Sequence, residues 1–516
     1  MSLSLAAVLA ESAQRYPDRT AVVLDDESVT YEQLWQRSRQ YAAVLRARKI
    51  APGDPVALLC PNVPEFAAVY YAILAVGGVV VPLHVLLTPE DIAFAVEDSG
   101  AEILVCAFTL LGQGLKGAHL AGVPLLSVRD LHGDQDDVER LEELGDAAVP
   151  LEGYVKREPD DEAVIIYTSG TTGQPKGAVL THLNLVMNAQ LCATDVVHLS
   201  QQDVVLGCLP LFHSFGQTCC MNAGFRAGAT VVLMTRFDGR GALERMVTHG
   251  VTIFQGVPTM YRALLEAAAA DDRRPPLRLA TSGGAPISVE VMDEFEKLFG
   301  AAVYEGYGLS ETAPVATFNQ PAYGRKPGTV GRPIWGVDVE IAQADVEDRI
   351  QLLPVGEEGE VVIRGHNVMP RYHDRRRATA EAIVDGWFRS GDLGTRDADG
   401  FITIVGRKKD MVLRGGFNVY PREIEEVLIR HPAVAEVAVI PIPDEQFGEE
   451  VCALVVRTPD YADRSDREVR TDILGWSRDK LARYKHPHRL DFVEALPHSA
   501  SGRVVKSELI ERYRHE

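Results

Sequence analysis

Residues Tyr167-Thr168-Ser169-Gly170-Thr171-Thr172-Gly173-Gln174-Pro175-Lys176-Gly177 place four aliphatic hydroxyls, three glycines and a lysine within eleven positions, directly after the apolar run 163–166. A loop of this kind can wrap a polyphosphate: glycines let the backbone come close, hydroxyls and amides donate hydrogen bonds, and the lysine neutralises charge. It differs from the nucleotide-binding loop that ends in Gly-Lys-Ser/Thr, because Lys176 follows Pro175 and precedes Gly177. Taken alone, a plain Ser/Thr/Gly turn is the competing reading.

The elements around this loop follow a βαβ rhythm. Short β-branched runs at 56–60, 79–83 and 103–107 alternate with amphipathic or apolar stretches at 65–76 and 89–99, and the pattern returns at 204–209, 230–234, 252–255 and 277–282. A large doubly wound α/β body is expected there. From about Val337 the pattern turns β-rich, with strands at 359–364 and 401–405. The charged turn Gly406-Arg407-Lys408-Lys409-Asp410 precedes a further unit with strands at 411–414, 433–440 and 451–456 and helices at 421–430 and 466–481. The expected fold class is therefore α/β, with a large N-terminal α/β domain and β-rich lobe (1–408) and a small mobile α+β C-terminal domain (409–516), hinged at Lys409. The segment 112–150, rich in Gly, Asp and Glu, reads as an irregular connection, and 1–16 reads as a surface helix without the basic start of a signal peptide.

Composition excludes several classes of function. Across 516 residues, 52 Lys and Arg oppose 73 Asp and Glu, a net charge of −21. No broad cationic face for nucleic acid or anionic lipid is expected from that balance. The longest apolar stretch, 73–87, contains two glycines, a proline and a histidine and is too short for a bilayer span. Seven cysteines, an odd count without a Cys-x-x-Cys pair, sit mostly in apolar runs, which favours reduced thiols and a cytoplasmic setting.

Further motifs follow the loop in a fixed order: Leu209-Pro210-Leu211-Phe212-His213-Ser214-Phe215-Gly216, Ser282-Gly283-Gly284-Ala285-Pro286, and Tyr304-Glu305-Gly306-Tyr307-Gly308-Leu309-Ser310-Glu311-Thr312. Beyond them come Gly386-Trp387-Phe388-Arg389-Ser390-Gly391-Asp392, the turn at 406–410, and Gly415-Gly416-Phe417-Asn418-Val419-Tyr420-Pro421. In content and order this series resembles the adenylate-forming superfamily of acyl-CoA synthetases, peptide-synthetase adenylation domains and luciferases, over nearly the whole chain.

The resemblance implies two half-reactions in different domain orientations, using ATP or acyl-AMP, coenzyme A, and Mg²⁺ for the adenylation half only. By that resemblance Thr168, Ser169, Gly170, Thr171, Thr172, Gly173, Lys176 and Ser310 hold phosphate, and Glu311 holds the metal. Ser282, Gly283, Gly284, Ala285, Glu305, Gly306, Tyr307 and Gly308 frame adenine, with the Tyr307 ring against its face. Asp392 and Arg407 meet the ribose, and Gly415 and Gly416 let a pantetheine arm pass close to the backbone. Phe212, Phe215, Gly256 and Val257 form the acyl pocket, His213 lies at the mouth of the thiol tunnel, and Lys409 is the hinge. Amino-acid-activating relatives usually carry an aspartate in the segment 212–216, and none stands there, so a hydrophobic non-amino carboxylate is expected.

One position departs from the resemblance. In Leu496-Pro497-His498-Ser499-Ala500-Ser501-Gly502-Arg503 the family has a lysine after the glycine, reaching the carboxylate and the α-phosphate. A planar five-donor guanidinium is bulkier than an ammonium and does not thread the same gap. Arg503 therefore points to a weak or lost adenylation half and an intact thioester half, with acyl-AMP supplied by a separate adenylating ligase. The alternatives are an ordinary ATP-dependent synthetase in which Arg503 or Lys506 substitutes, a ligase loading a carrier protein, and a non-catalytic acyl-AMP binder.

Overall fold

The computed structural model describes residues 3–129, 138–168, 175–414, 417–444, 447–478, 480–498 and 504–513. The chain divides into two compact units. The first comprises Met1–Pro327, Gly331–Asp338 and Ile363–Gly386; the second comprises Gly328–Val330, Val339–Val362 and Trp387–Glu516.

Two sheets build the first unit. Its seven-stranded sheet runs Arg371–Tyr372, Lys176–Thr181, Glu162–Thr168, Val79–Pro82, Pro55–Leu59, Leu104–Ala107, Leu125–Val128. The five strands from Glu162–Thr168 onward are mutually parallel, and the first three form an antiparallel edge. Its nine-stranded sheet runs Arg332–Pro333, Val315–Phe318, Ala302–Gly308, Leu279–Ser282, Ile253–Gly256, Val204–Gly207, Thr230–Leu233, Thr20–Leu24, Glu27–Thr30. The six strands from Ala302–Gly308 to Thr20–Leu24 are parallel, and the outer ones are antiparallel.

Local sequence explains the linking helix. Pro64–Val76 is apolar on every side and wholly buried, the expected state of a helix without a polar face. It starts on Pro64 and stops at Gly77, whose φ of 86° closes the last turn and returns the chain into strand Val79–Pro82. The helix touches strands of both sheets. Their cores are filled by aliphatic residues of the parallel strands, and Phe254 of the nine-stranded sheet packs with Tyr261, Phe295 and Phe299, Tyr261 edge-on and the phenylalanines stacked in series.

One expectation is corrected here and another is met. Among its described residues the stretch 112–150 is no irregular connection: it contains helix Leu111–Ala121, strand Leu125–Val128 and helix Leu141–Ala147, and two of its glycines serve packing, since a Cβ on Gly114 would lie 2.5 Å from Cys106 Sγ and one on Gly117 2.5 Å from Ile92 Cγ2. Helix Ala6–Arg15 is a surface helix with one inward face: Ala6, Val8, Leu9, Ala10, Ser12 and Ala13 are buried, while Glu11, Gln14 and Arg15 are exposed.

In the second unit a β-rich part contains Trp387–Arg396 paired antiparallel with Ile402–Arg407. A further sheet runs Phe417–Val419, Val412–Arg414, Gly448–Arg457, Val434–Asp444, with Arg489–Phe492 beside Gly448–Arg457. Consecutive strand residues face opposite sides. Val439, Val451, Ala453 and Val455 pack with helices Pro421–Leu428 and Asp466–Arg478, whereas Ala438, Ile440, Cys452 and Leu454 meet helix Lys506–Tyr513. This is the α/β fold class with a large and a smaller domain. Among the described residues no helix is long and apolar enough to cross a membrane.

Candidate active site

Two neighbouring parallel strands of the nine-stranded sheet end at one cross-strand row that the next strand, Ala302–Gly308, continues past: Gly256 opposite Ser282, and Ser282 opposite Glu305. Ligand crevices in open α/β sheets lie beyond such carboxyl ends. The row joins a residue expected at the acyl pocket to two expected around adenine. The Ser282 side chain is buried and its Oγ has no hydrogen-bond partner among the described residues. An orphaned hydroxyl costs stability unless something else engages it, so it fits a nucleotide donor or acceptor.

Glycines next to the row bring the two ends together. Gly283 faces the Phe215 ring so closely that a Cβ would lie 3.3 Å from Cε1, and a Cβ on Gly284 would lie 3.4 Å from Val257 Cγ1. Gly308 cannot carry a side chain at all, because its Cβ would fall 1.7 Å from the Pro314 carbonyl oxygen. Gly306 pairs with Phe318 and Tyr307 with Thr317 on the antiparallel strand, leaving Tyr307 half-buried, as is Ala285. Ser214 Oγ stands 3.4 Å from Ser310 Oγ, linking the acyl segment to the turn that carries Glu311. Phe212 is buried, His213 is half-buried, and the His213 backbone oxygen accepts from Gln217 N at 2.9 Å.

The residues expected at phosphate stand on a hairpin. Glu162–Thr168 and Lys176–Thr181 pair antiparallel with Thr168 opposite Lys176, which places the hydroxyl and the ammonium at one end of the sheet. The buried Glu311 carboxylate accepts from Thr168 Oγ1 at 3.3 Å and from Tyr372 Oη at 2.9 Å. Lys176 Nζ lies 5.5 Å from the Tyr372 ring centroid. Burial, reinforced by the charge of Glu311, pushes the Tyr372 phenol well above its ordinary pKa, so it stays a donor. Mg²⁺ typically sits on one or two carboxylates together with substrate phosphates. A lone carboxylate beside a hydroxyl and a lysine fits that pattern. Among the described residues no group of three His, Cys, Asp or Glu could hold a metal by protein ligands alone.

In the second unit, Asp392 and Arg407 are cross-strand partners, with Arg407 Nε 2.8 Å from Asp392 Oδ1. Asp392 N also donates to Ser390 Oγ at 3.0 Å. Lys409 is exposed in the short turn Lys408–Asp410. Lys506 Nζ is held 2.7 Å from Glu425 Oε1. Ser169, Gly170, Thr171, Thr172, Gly173, Gly415, Gly416 and Arg503 lie outside the described residues.

Sequence reasoning missed Tyr372, which belongs to the two-residue strand Arg371–Tyr372 and carries no motif. It also missed the π-helical stretch Phe215–Asn222 that delivers Phe215, and such widened turns are frequent at functional sites. Tyr70 Oη donates to Gln217 Oε1 at 3.2 Å, and Tyr71 Oη donates to Asn222 Oδ1 at 2.8 Å.

Comparison with known proteins decides the family. Residues 9–373 match the model for AMP-binding enzymes, and residues 423–503 match the model for the C-terminal domain of AMP-binding enzymes. The chain belongs to the AMP-binding enzyme family. As an AMP-binding enzyme it is 37% identical over 515 residues to a feruloyl-CoA synthase of Amycolatopsis sp, covering 97% of each protein. It is 32% identical over 535 residues to the long-chain-fatty-acid–CoA ligase of Bacillus subtilis (strain 168), covering 98% of this chain and 94% of the relative. Among solved structures, o-succinylbenzoate CoA synthetase of Bacillus subtilis in complex with its acyl-adenylate intermediate superposes with a TM-score of 0.85 at 30% identity, covering 97% of each chain. ATP-bound MatB of Rhodopseudomonas palustris gives 0.88 at 32%, covering 100% of this chain and 99% of the other. These relatives place this AMP-binding enzyme in the acyl-CoA synthetase branch of the adenylate-forming superfamily, as an acid–thiol ligase.

Proposed function

We propose that this enzyme joins a hydrophobic, non-amino carboxylic acid to coenzyme A through an acyl-adenylate, and that its second half-reaction is faster than its first. The observation that carries the reading is the meeting of the two ends of the site: the Phe215 ring against Gly283, and Ser214 beside Ser310. An acyl group next to Phe215 would thus lie beside the nucleotide end, as a mixed anhydride requires. In the first half-reaction a carboxylate oxygen attacks the α-phosphorus of ATP and pyrophosphate leaves; in the second the CoA sulfur attacks the acyl carbon and AMP leaves.

Each group then has a task. Thr168 and Lys176 would hold phosphate oxygens, Glu311, fixed by its bonds from Thr168 and Tyr372, would hold Mg²⁺, and Ser282 would engage the nucleotide. When bound, Mg²⁺ supplies charge neutralisation at the departing pyrophosphate. By the resemblance, Asp392 and Arg407 would act on the ribose, Lys409 would serve as the hinge, and Gly415 and Gly416 would admit the pantetheine arm. Arg503 stands in the sequence where the resemblance expects a lysine for the carboxylate and α-phosphate, and its larger fork would slow adenylation. A separate ligase supplying acyl-AMP would complement that slow step.

The assembled phosphate end favours a second reading, an ordinary ATP-dependent synthetase. If Lys506 replaces the missing ammonium there, it must first leave its ion pair with Glu425.

Synthetic acyl-AMPs with aryl, alicyclic and fatty bodies, each supplied with CoA, test the function. Acyl-CoA and AMP should form from at least one of these, and none from aminoacyl-AMPs. Turnover of aminoacyl-AMPs alone would refute the substrate class, and binding without turnover across the panel would make the protein a non-catalytic binder.

A further inference from the structure

Asn62 stands just beyond strand Pro55–Leu59 of the seven-stranded sheet and just before helix Pro64–Val76, and it is only 4% exposed. Its Nδ2 donates to the Gly207 oxygen at 3.1 Å and to the Leu209 oxygen at 2.8 Å, while its Oδ1 accepts from Leu211 N at 2.9 Å. The three contacts fall on alternate residues of the chain that leaves strand Val204–Gly207 of the other sheet. One side-chain amide thus does for this stretch what a neighbouring strand would do, gripping one edge of an extended backbone. From the adjoining strand Val79–Pro82 of the same sheet comes His84, whose ring centroid is 4.6 Å from that of Phe212. Gln217 holds the far side, with Nε2 donating to the Leu211 oxygen at 3.3 Å. Both backbone polar groups of Leu211 are therefore held by buried side-chain amides.

We infer that Asn62 is a positioning residue for acyl recognition: it fixes the backbone that presents Phe212 and Phe215, and through it the fit of the carboxylic acid's body. This rests on the reading that Phe212 and Phe215 line the acyl pocket. Only a carboxamide satisfies the three contacts. An aspartate would face two carbonyl oxygens without a donor, and an alanine would leave the segment unheld. The segment has no helix or strand of its own between Gly207 and Phe215, so its position is set by these contacts.

The test compares the full-length wild type with Asn62→Asp, Asn62→Ser and Phe215→Ala, measuring binding by calorimetry. The probes are AMP and two non-reactive acyl-sulfamoyl adenosines, one benzoyl and one decanoyl. Asn62→Asp should leave AMP affinity within about twofold and weaken the acyl probe that wild type binds more tightly by about tenfold or more, with Asn62→Ser intermediate. Equal weakening of AMP and acyl probes, or unchanged acyl affinity in a folded variant, overturns the inference. If Asn62→Asp does not fold, Asn62→Ser decides by the same comparison. Should Phe215→Ala leave every acyl probe unaffected, or wild type bind neither acyl probe better than AMP, the acyl-pocket reading itself fails and the inference falls with it. An effect of Phe215→Ala without an effect at Asn62 removes the inference and keeps the reading.

Discussion

Tyr372 and Ser282 separate structural from functional roles. The Tyr372 hydroxyl donates to the Glu311 carboxylate, and hydrogen bonds to a charged group are worth about 1.5–3 kcal/mol. Tyr372→Phe should weaken MgATP binding and ATP-dependent adenylation by roughly tenfold or more, while thioester formation from acyl-AMP, which involves neither metal nor pyrophosphate, stays at the wild-type rate. Loss of both activities together would contradict the assigned role. Ser282 works in the opposite sense. Its hydroxyl is buried without a partner among the described residues, so Ser282→Ala should leave thermal stability unchanged or raised while AMP affinity falls severalfold. A destabilised variant with normal AMP affinity would show that the hydroxyl serves the fold. The sequence made Ser282 legible because Ser282-Gly283-Gly284-Ala285 is a contiguous motif. Tyr372 was not legible: its partner Glu311 is 61 residues away, and only the pairing of Arg371–Tyr372 with Lys176–Thr181 brings the ring to the hairpin.

At the scale of elements, helix His182–Leu191 carries a built-in acid sensitivity. Its first residue, His182, is fully buried and accepts from Leu5 N at 3.0 Å through Nδ1, tying the start of the first unit to this helix. Burial, with the charge of Arg157 second, lowers its pKa from 6.5 to about 4. Between those values the unfolded chain takes up a proton that the folded one refuses, so stability falls as pH falls through this window. Integrated from pH 7 to pH 5, the loss is about 2 kcal/mol. His182→Asn, which retains an acceptor for Leu5 N but does not titrate, should show that much less acid destabilisation of the first unit in denaturant melts at the two pH values. Equal pH dependence in variant and wild type would remove His182 as the cause. The βαβ rhythm exposed the parallel strands because β-branched runs and amphipathic stretches differ in period. It did not expose the π-helical turn at Phe215, whose register is imposed by Tyr70 and Tyr71 from a distant helix. Nor did it expose helix Leu111–Ala121, where three glycines imitate a loop although two of them sit against Cys106 and Ile92.

For the whole molecule, two units with separate cores divide the proposed labour. The first holds Thr168, Lys176, Glu311, Ser282 and the Phe212–Phe215 segment, and the second holds Asp392, Arg407, Lys409 and Arg503. In the proposed reading, adenylation calls on Arg503 to offset the repulsion between two anions being brought together, whereas thioester formation calls on the glycine pair and leaves Arg503 unused. The order of motifs made a large and a smaller part readable from the sequence, with the boundary expected at Lys409, after Asp392 and Arg407; the chemical identity of the acid was not readable, because a pocket described as Phe212, Phe215, Gly256 and Val257 specifies only an apolar body. The most direct measurement takes one acid and one preparation and compares acid-dependent ATP–pyrophosphate exchange with thioester formation from the matching acyl-AMP, for wild type and for Arg503→Lys. The account predicts slow exchange and fast thioester formation in the wild type. It also predicts that Arg503→Lys raises exchange on the order of tenfold to a hundredfold while thioester formation is unchanged. Exchange in the wild type as fast as thioester formation, with no gain from the lysine, would contradict it.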